Sequence, residues 1–180
     1  MFQLLVLSTY PSHAHNNPTL THVENKQQEK AKAARGKLIS SEITIHASPA
    51  KVWEILTDFE KYPTWNPFIK YVRGDMAKGN SIQVMIAPPG AKAMSFAPKV
   101  LVYDTCKELK WIGKLMVPGL FDGEHRFQII DNGDGTITFI QSENFRGILV
   151  PFFKKMLDNN TLQGFKDMNQ KLKELAEKGV

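Results

Sequence analysis

The chain has 180 residues, 42% of them hydrophobic, which is enough for one domain with a substantial core. Its formal net charge is +5, but residues 1–37, with five Lys or Arg against two Glu, hold +3 of it. The rest of the chain is too nearly neutral to favour nucleic acid as a partner. No apolar run approaches the roughly 18 residues of a membrane-spanning helix. The single cysteine, Cys106, excludes an internal disulfide framework and indicates a reducing, cytoplasmic location.

Residues 1–37 are predicted to form a tail, either without structure or with a short helix, ahead of a domain at 38–180. The apolar run at 2–7 is short and follows no positive charge, so it is a poor match to a secretory signal. Export is therefore the less favoured alternative to a cytoplasmic location.

The domain begins with a predicted strand at 38–46, where isoleucines alternate with polar residues. The period then changes: Ser48 suits the N-cap and Pro49 the first turn of a helix that ends near Phe59. A second short turn or helix is predicted at 60–65, and Pro67 ends it.

About six antiparallel strands are predicted next, at 68–73, 81–87, 94–104, 108–117, 121–130 and 136–145. In the strand at 94–104, alternation places Val100 and Val102 toward the interior. The last two strands are joined by the sequence Asp-Asn-Gly-Asp-Gly at 131–135, which is a strong hairpin signal.

The last segment, 151–177, is the longest predicted helix, and Pro151 suits its first turn. Its apolar stripe must be buried against another element. The order of elements predicts an α+β fold in which this helix lies across a curved antiparallel sheet. The stripe consists of residues three or four positions apart: Phe153, Leu157, Thr161, Phe165, Met168, Leu172 and Leu175.

Four stretches carry a resemblance to a known superfamily: IHASPAKVWEILTDF at 45–59, YPTWNPF at 62–68, GEHRF at 123–127 and QSENF at 141–145. Together with the terminal helix they resemble the START-like (SRPBCC) superfamily over about 38–178, and most of all its polyketide cyclase/dehydrase and lipid-transport type. The resemblance implies a helix-grip fold, in which a seven-stranded sheet bends around the C-terminal helix and leaves a ligand cavity. Carriers, hormone receptors, oxygenase domains and cyclases share this scaffold, so the resemblance does not select one function.

Strand alternation predicts three polar side chains in the otherwise apolar interior: His125, Gln141 and Glu143. A turn centred near Gly133 would set His125 opposite about Gln141 and one pair from Glu143, with roughly 5 Å between opposed side chains. His125 and Glu143 could then hold the polar end of a ligand or act as catalytic general acid and base. The structural alternative is that they satisfy each other's hydrogen bonds and serve only the fold.

Apolar residues on the same inner faces are predicted to line the cavity with these polar groups. Met168 on the helix would give a pliable wall, and the resemblance implies that the region around Trp65 borders the cavity mouth. The predicted apolar ligand-binding residues are Trp65, Phe68, Val84, Phe96, Val100, Trp111, Phe127, Phe139, Phe165 and Met168.

The leading interpretation is a binder or carrier of a small hydrophobic molecule, such as a lipid, quinone-like or polyketide-like compound. The alternatives are a cyclase or dehydratase that uses His125 or Glu143, and a surface-acting stress or chaperone-cofactor module. No cofactor or metal is predicted, because phosphate-loop, nucleophile-elbow and His-Glu-x-x-His motifs are absent. The loops at 87–92 and 117–120, with Lys114 nearby, could touch a membrane transiently. The sequence leaves the ligand's identity and the oligomeric state open.

Overall fold

The computed structural model describes residues 36–114, 117 and 119–178, and within them the chain forms eight strands and four α-helices. The strands are β1 (Lys37–Ile45), β2 (Ile69–Arg73), β3 (Gln83–Ile86), β4 (Met94–Phe96), β5 (Lys99–Asp104), β6 (Glu108–Lys114), β7 (Asp122–Asp131) and β8 (Ile137–Arg146). The helices are α1 (Pro49–Thr57), α2 (Tyr62–Trp65), α3 (Val150–Met156) and α4 (Leu162–Ala176). These elements confirm the α+β class. Residues 1–35 of the predicted tail lie outside the described part of the chain.

The strands form two antiparallel sheets, one with the order β1-β8-β7-β6-β5 and one with the order β2-β3-β4. An isolated bridge between Ser81 and Lys99 links them. The resemblance implied seven strands, whereas the described residues form eight. The difference arises because the predicted strand at 94–104 is interrupted at Pro98, which has no N–H to donate to a ladder.

A bulge in β5 overturns one expectation about side-chain direction. The register shifts between Val100 and Val102, so that Val102 pairs with Lys110 while Tyr103 pairs with the buried Leu109. Val102 is therefore only partly buried. Tyr103 instead packs its ring edge-on against Trp53 of α1, with 5.2 Å between ring centroids. A bulge reverses the inward and outward alternation of the side chains that follow it, and no residue in this stretch indicates a bulge.

Polar side chains and a proline define the start of α1 and the turn after α2. The Ser48 Oγ accepts a hydrogen bond from the Lys51 N–H at 3.2 Å, and Pro49 occupies the first turn of α1. After α2, the buried Asn66 side chain accepts hydrogen bonds from the N–H groups of Phe68 and Ile69 at 3.0 and 2.8 Å. Asn66 thus satisfies two backbone N–H groups of the turn that leads from α2 into β2.

The predicted C-terminal helix is not regular throughout. A π-helical turn at Leu157–Thr161 separates α3 from α4. Each residue of an α-helix advances by about 100°, so the one additional residue of a π turn rotates α3 relative to the buried stripe of α4. Phe153, predicted to lie in that stripe, is consequently exposed, whereas Leu157, Thr161, Phe165, Met168 and Leu172 are buried.

Helix α4 is held along β1 by side-chain contacts as well as by its apolar face. The buried Asn169 donates to the Ser41 hydroxyl at 3.3 Å, and Lys173 donates to the Thr44 carbonyl at 2.6 Å. At the end of the helix, the Glu177 carboxylate accepts a hydrogen bond from the His46 N–H at 2.8 Å. This hydrogen bond holds the pKa of Glu177 below its usual value. These contacts fix the position of the helix over the sheet.

Close approach of α4 to Phe68, the residue before β2, depends on Gly164. The rings of Phe68 and Phe165 meet edge-on with 5.3 Å between centroids, and the Phe68 ring lies directly against the Gly164 backbone. A methyl group at position 164 would overlap that ring.

We therefore expect Gly164→Ala to lower the free energy of unfolding by about 1–2 kcal/mol, although alanine is the better helix former. Urea denaturation measures the change. Gln163→Ala, at the neighbouring exposed position, is the control and should stay within about 0.5 kcal/mol of the wild type. In a Phe68→Leu background the Gly164→Ala cost should shrink, and an equal cost in both backgrounds would contradict the contact.

Candidate functional site

The middle of the space between the sheet and α4 is filled by side chains. Trp111, Phe127 and Phe165 are all fully buried there, and the Trp111 and Phe127 rings meet edge-on at 5.3 Å between centroids. Phe139 stacks on Phe127 at 6.1 Å. The predicted cavity therefore does not extend along the whole length of the helix.

A cavity of about 100 Å³ remains at one end of the grip, and we call it the end cavity. The β3–β4 region, the inner faces of β6 to β8 and the π turn line it, and it is partly open to solvent. Its walls are mainly apolar, with the polar side chains of Ser95, Lys114 and Thr161 and one carboxylate, that of Glu143, among them. The lining residues are Ile86, Pro88, Met94, Ser95, Phe96, Gly113, Lys114, Phe121, Gly123, Glu143, Phe145, Met156, Leu157 and Thr161.

Two glycines form the floor of the end cavity. Gly113 of β6 pairs directly with Gly123 of β7, and both lie on the inner face of the sheet. A Cβ atom on Gly113 would approach the Phe96 ring to 3.1 Å, and one on Gly123 would overlap Oε1 of Glu143. The missing side chains therefore leave room for both the free volume and the carboxylate.

A line of three polar side chains, which we call the polar chain, runs from the end cavity into the core. Nδ1 of His125 lies 3.1 Å from Oε2 of Glu143, and Nε2 of His125 lies 3.2 Å from Nε2 of Gln141. His125 and Gln141 are buried, while the Glu143 side chain keeps 14% of its surface exposed. Glu143 is thus the member of the polar chain that a ligand would contact.

The pairing within the polar chain corrects the predicted register. His125 pairs with Glu143 rather than with Gln141, whose partner across the ladder is Phe127. The hairpin is centred near Asp134 instead of Gly133, because the Asp134 carboxylate accepts from the Thr136 N–H at 3.0 Å and shapes the turn. The tilt of the side chains still brings Gln141 to His125.

The hydrogen bonds of the polar chain select one form of His125. Nε2 of Gln141 also lies 3.6 Å from the Met168 sulfur, so the amide nitrogen faces two acceptors. Since an amide nitrogen only donates, Nε2 of His125 accepts, and Nδ1–H donates to the Glu143 carboxylate. The Gln141 Oε1 atom is buried with no hydrogen-bond donor in the described residues.

Aromatic rings surround His125 on three sides. The Trp111 ring stacks on it at 5.3 Å with 14° between the planes, Phe127 lies at 4.6 Å, and Phe165 meets it edge-on at 5.1 Å. These contacts fix the orientation of the imidazole. The Glu143 carboxylate therefore has a rigid hydrogen-bond donor behind it.

The structure distributes the predicted site residues among three environments. Phe96 and Glu143 line the end cavity, with His125 and Gln141 behind Glu143. Trp65 lies in a separate shallow groove with Ile55 and Leu175. The remaining predicted residues are buried in the core: Phe68, Val84, Val100, Trp111, Phe127, Phe139, Phe165 and Met168. Contact of any of them with a ligand stays a prediction.

Sequence reasoning did not select most of the residues that line the end cavity. Alternation places Gly113 and Gly123 inward, and two inner glycines on adjacent strands are the signal that was available for a void. Met156, Leu157 and Thr161 line it because of the π turn. No feature of the sequence indicates that turn.

One wall of the end cavity is closed by a hydrogen bond. Nδ2 of Asn160 in the π turn donates to the Pro89 carbonyl at 2.5 Å, which holds the β3–β4 loop onto the helical segment. Pro88 and Leu157 on the two sides of this contact both line the end cavity. Separating them would widen the cavity.

The surface beside the end cavity is unusually apolar, and we call it the exposed rim: Val117, Ile148 and Phe152. Ile148 is 72% exposed and Phe152 is 81% exposed. The neighbouring Phe153 packs against Phe121, a lining residue, with 5.3 Å between ring centroids. The exposed rim therefore adjoins the end cavity.

The described residues contain no group of three His, Cys, Asp or Glu side chains arranged to hold a metal ion. No helix among them combines the length and apolar character needed to cross a membrane.

We predict that His125 carries its proton on Nδ1 when neutral. Long-range ¹H–¹⁵N NMR at mildly alkaline pH should show a protonated Nδ1 and an unprotonated Nε2 for this ring, with the exposed His46 as internal reference. Glu143→Gln should weaken that preference, because a carboxylate accepts more strongly than an amide. A wild-type proton on Nε2 would contradict the arrangement of the polar chain.

Comparison with known proteins agrees with the fold. A family profile described as "Polyketide cyclase / dehydrase and lipid transport" matches residues 38–177. No curated protein sequence matches the chain.

Two solved structures show the helix-grip architecture that the sequence predicted. An aromatase/cyclase, Zhui, from a Streptomyces species has a TM-score of 0.64 at 14% identity, over 78% of this chain and 93% of that one. A START superfamily protein from Mycobacterium smegmatis has a TM-score of 0.58 at 23% identity, over 78% of this chain and 99% of that one. Since the family profile covers well over half of the chain, the protein belongs to the polyketide cyclase/dehydrase and lipid-transport family.

Proposed function

We propose that the protein binds and carries a small, mainly apolar molecule in the end cavity, with the ligand's polar end at Glu143. The observation that supports this most directly is a single partly exposed carboxylate in an apolar cavity floored by two glycines. Concave, mostly apolar sites with few fixed polar groups are the usual form of small-molecule sites. Family membership supports hydrophobic ligand binding or cyclase activity in general.

The size of the end cavity limits what can bind without movement. An apolar cavity of about 150 Å³ holds benzene, so the free volume of about 100 Å³ buries only part of such a ligand unless the walls move. The contact between Asn160 and Pro89 is a single neutral hydrogen bond, which typically contributes only about 0.5–1.5 kcal/mol. Burial of a ligand's apolar surface can offset that cost.

The polar chain also favours a second candidate, an acid–base enzyme of the cyclase or dehydratase class. Glu143 contacts the end cavity and accepts a hydrogen bond from His125 at 3.1 Å, so its carboxylate is held in one orientation from which it could take a proton from a bound molecule. Native mass spectrometry of freshly purified protein separates the two candidates. A carrier releases the same bound molecule from the wild type and from Glu143→Gln, whereas an enzyme accumulates an unconverted compound only in the variant.

Ligand entry into the end cavity can be followed through its methionines. We expect toluene to shift the methyl NMR signals of Met94 and Met156, which line the cavity, and to leave Met168 in the filled middle unaffected. Gly113→Val should weaken toluene binding by at least about tenfold, because its side chain occupies the free volume next to Phe96.

Ile112→Val, on the outer face of the same strand, is the matched control and should bind toluene as the wild type does. Absence of any saturable shift at Met94 and Met156 would contradict ligand binding in the end cavity. Equal shifts at Met168 would place the ligand elsewhere.

We further propose that the exposed rim contacts an anionic membrane surface when the ligand is exchanged. Ile148 lies in the turn before α3 and Phe152 in the first turn of α3, and both side chains are largely exposed. The basic residues Arg146, Lys154 and Lys155 flank them, and Arg146 and Lys155 are exposed. Exposed aromatic and aliphatic side chains beside basic ones are suited to the interface of anionic bilayers.

Vesicle flotation tests the contact with the membrane. We expect the wild type to float with vesicles that contain phosphatidylglycerol, and much less with pure phosphatidylcholine. Phe152→Asp should reduce the bound fraction at least about threefold, since it removes the most exposed ring and adds a negative charge.

Thr105→Asp adds the same charge in the turn at the other end of β6 and should leave flotation unchanged. Equal binding to both vesicle types would contradict the role of charge. If Phe152→Asp instead abolishes self-association in solution, the exposed rim is an interface between copies of the chain and the proposal is wrong.

A further inference from the structure

The hydrogen-bonding capacity of Glu143 is only partly used inside the protein. Oε2 accepts from His125, while Oε1 lies against Gly123 on the cavity floor and has no hydrogen-bond donor among the described residues. An ionised carboxylate accepts about four hydrogen bonds. A bound molecule that replaces water in the end cavity must therefore supply a donor to Oε1, or leave that atom unsatisfied.

Glu143 and Lys114 are the charged side chains of the lining, and Glu143 is the less exposed of the two. Lys114, the cation of the lining, is exposed, so water and salt screen its effect. A second carboxylate brought into the end cavity would meet a like charge in a poorly hydrated space.

The remaining walls offer aromatic and sulfur surfaces to a cation, beside the hydroxyl groups of Ser95 and Thr161. The rings of Phe96, Phe121 and Phe145 present π surfaces, and the Met94 and Met156 side chains present polarisable sulfur. Aromatic faces attract ammonium groups by their quadrupole. An ammonium group at Glu143 would thus find its counter-charge and a compatible enclosure.

We infer that the end cavity selects a ligand whose polar end donates a hydrogen bond to Glu143, most strongly a protonated amine, and rejects carboxylates and quinones. The inference rests on the proposed function, because it concerns the same cavity. It divides the candidate hydrophobic ligands. Fatty acids are disfavoured because their polar ends are anionic, and quinones are disfavoured because their polar ends only accept hydrogen bonds. Amines, alcohols and phenols are favoured.

A series of four probes of similar size tests the selection: toluene, benzyl alcohol, benzylamine and benzoate. Each is titrated at neutral pH, with the Met94 and Met156 methyl signals as the readout. Benzylamine should bind at least about tenfold more tightly than toluene, with benzyl alcohol between them and benzoate showing no saturable shift. Charge-assisted hydrogen bonds are the stronger ones, which sets this order.

Two variants assign the effect to the carboxylate. Glu143→Gln should reduce the benzylamine-to-toluene affinity ratio at least about fivefold and allow benzoate to bind. Glu60→Gln, which removes an exposed carboxylate outside the cavity lining, should keep the wild-type ratio and the rejection of benzoate. Thermal unfolding confirms that both variants are folded.

The outcomes separate the inference from the proposed function. Toluene binding with a benzylamine-to-toluene ratio near one, or benzoate binding as tight as benzylamine, overturns the inference and leaves ligand binding in place. An unchanged ratio in Glu143→Gln also overturns it, because the selecting group would then be another one. If none of the four probes moves the Met94 and Met156 signals, the proposed function fails and the inference fails with it.

Discussion

The pairing of Gly113 with Gly123 across β6 and β7 is the constraint on which the candidate site depends. At this pair the sheet presents bare backbone, against which the Phe96 ring and the Glu143 carboxylate lie. Packing to crystal-like density is the default for protein interiors, so a void needs such a cause.

The polar chain shows how a carboxylate is tolerated at that place. Burial of a charge without partners is costly, and here one oxygen is hydrogen-bonded to an imidazole that three aromatic rings hold in position. Gln141 extends the network by one step, to the Met168 sulfur on α4. The network therefore connects the sheet to the helix through the core, and its outer end alone reaches the cavity.

Much of the fold could be predicted from the sequence, because local patterns and tertiary structure agree there. The capping residues Ser48 and Pro49 start α1 as expected, and alternation places His125, Gln141 and Glu143 on the inner face of β7 and β8. However, alternation along a strand indicates the face on which a side chain lies and not its distance from the elements that face it. It does not distinguish an inward side chain that fills the core, such as Phe127, from one that borders a void. That distinction depends on summed side-chain volumes across several elements, and the β5 bulge and the π turn change those sums without a local signal.

The π turn at Leu157–Thr161 has a consequence for how this scaffold can diverge. Removal of one residue within it would restore a regular helix and turn α3 by about 100° about its axis. Phe152, now 81% exposed, would then move toward the position of Phe153, which packs against Phe121. Deletion of a single codon would thus change which side chains of α3 border the end cavity, without any substitution in the sheet.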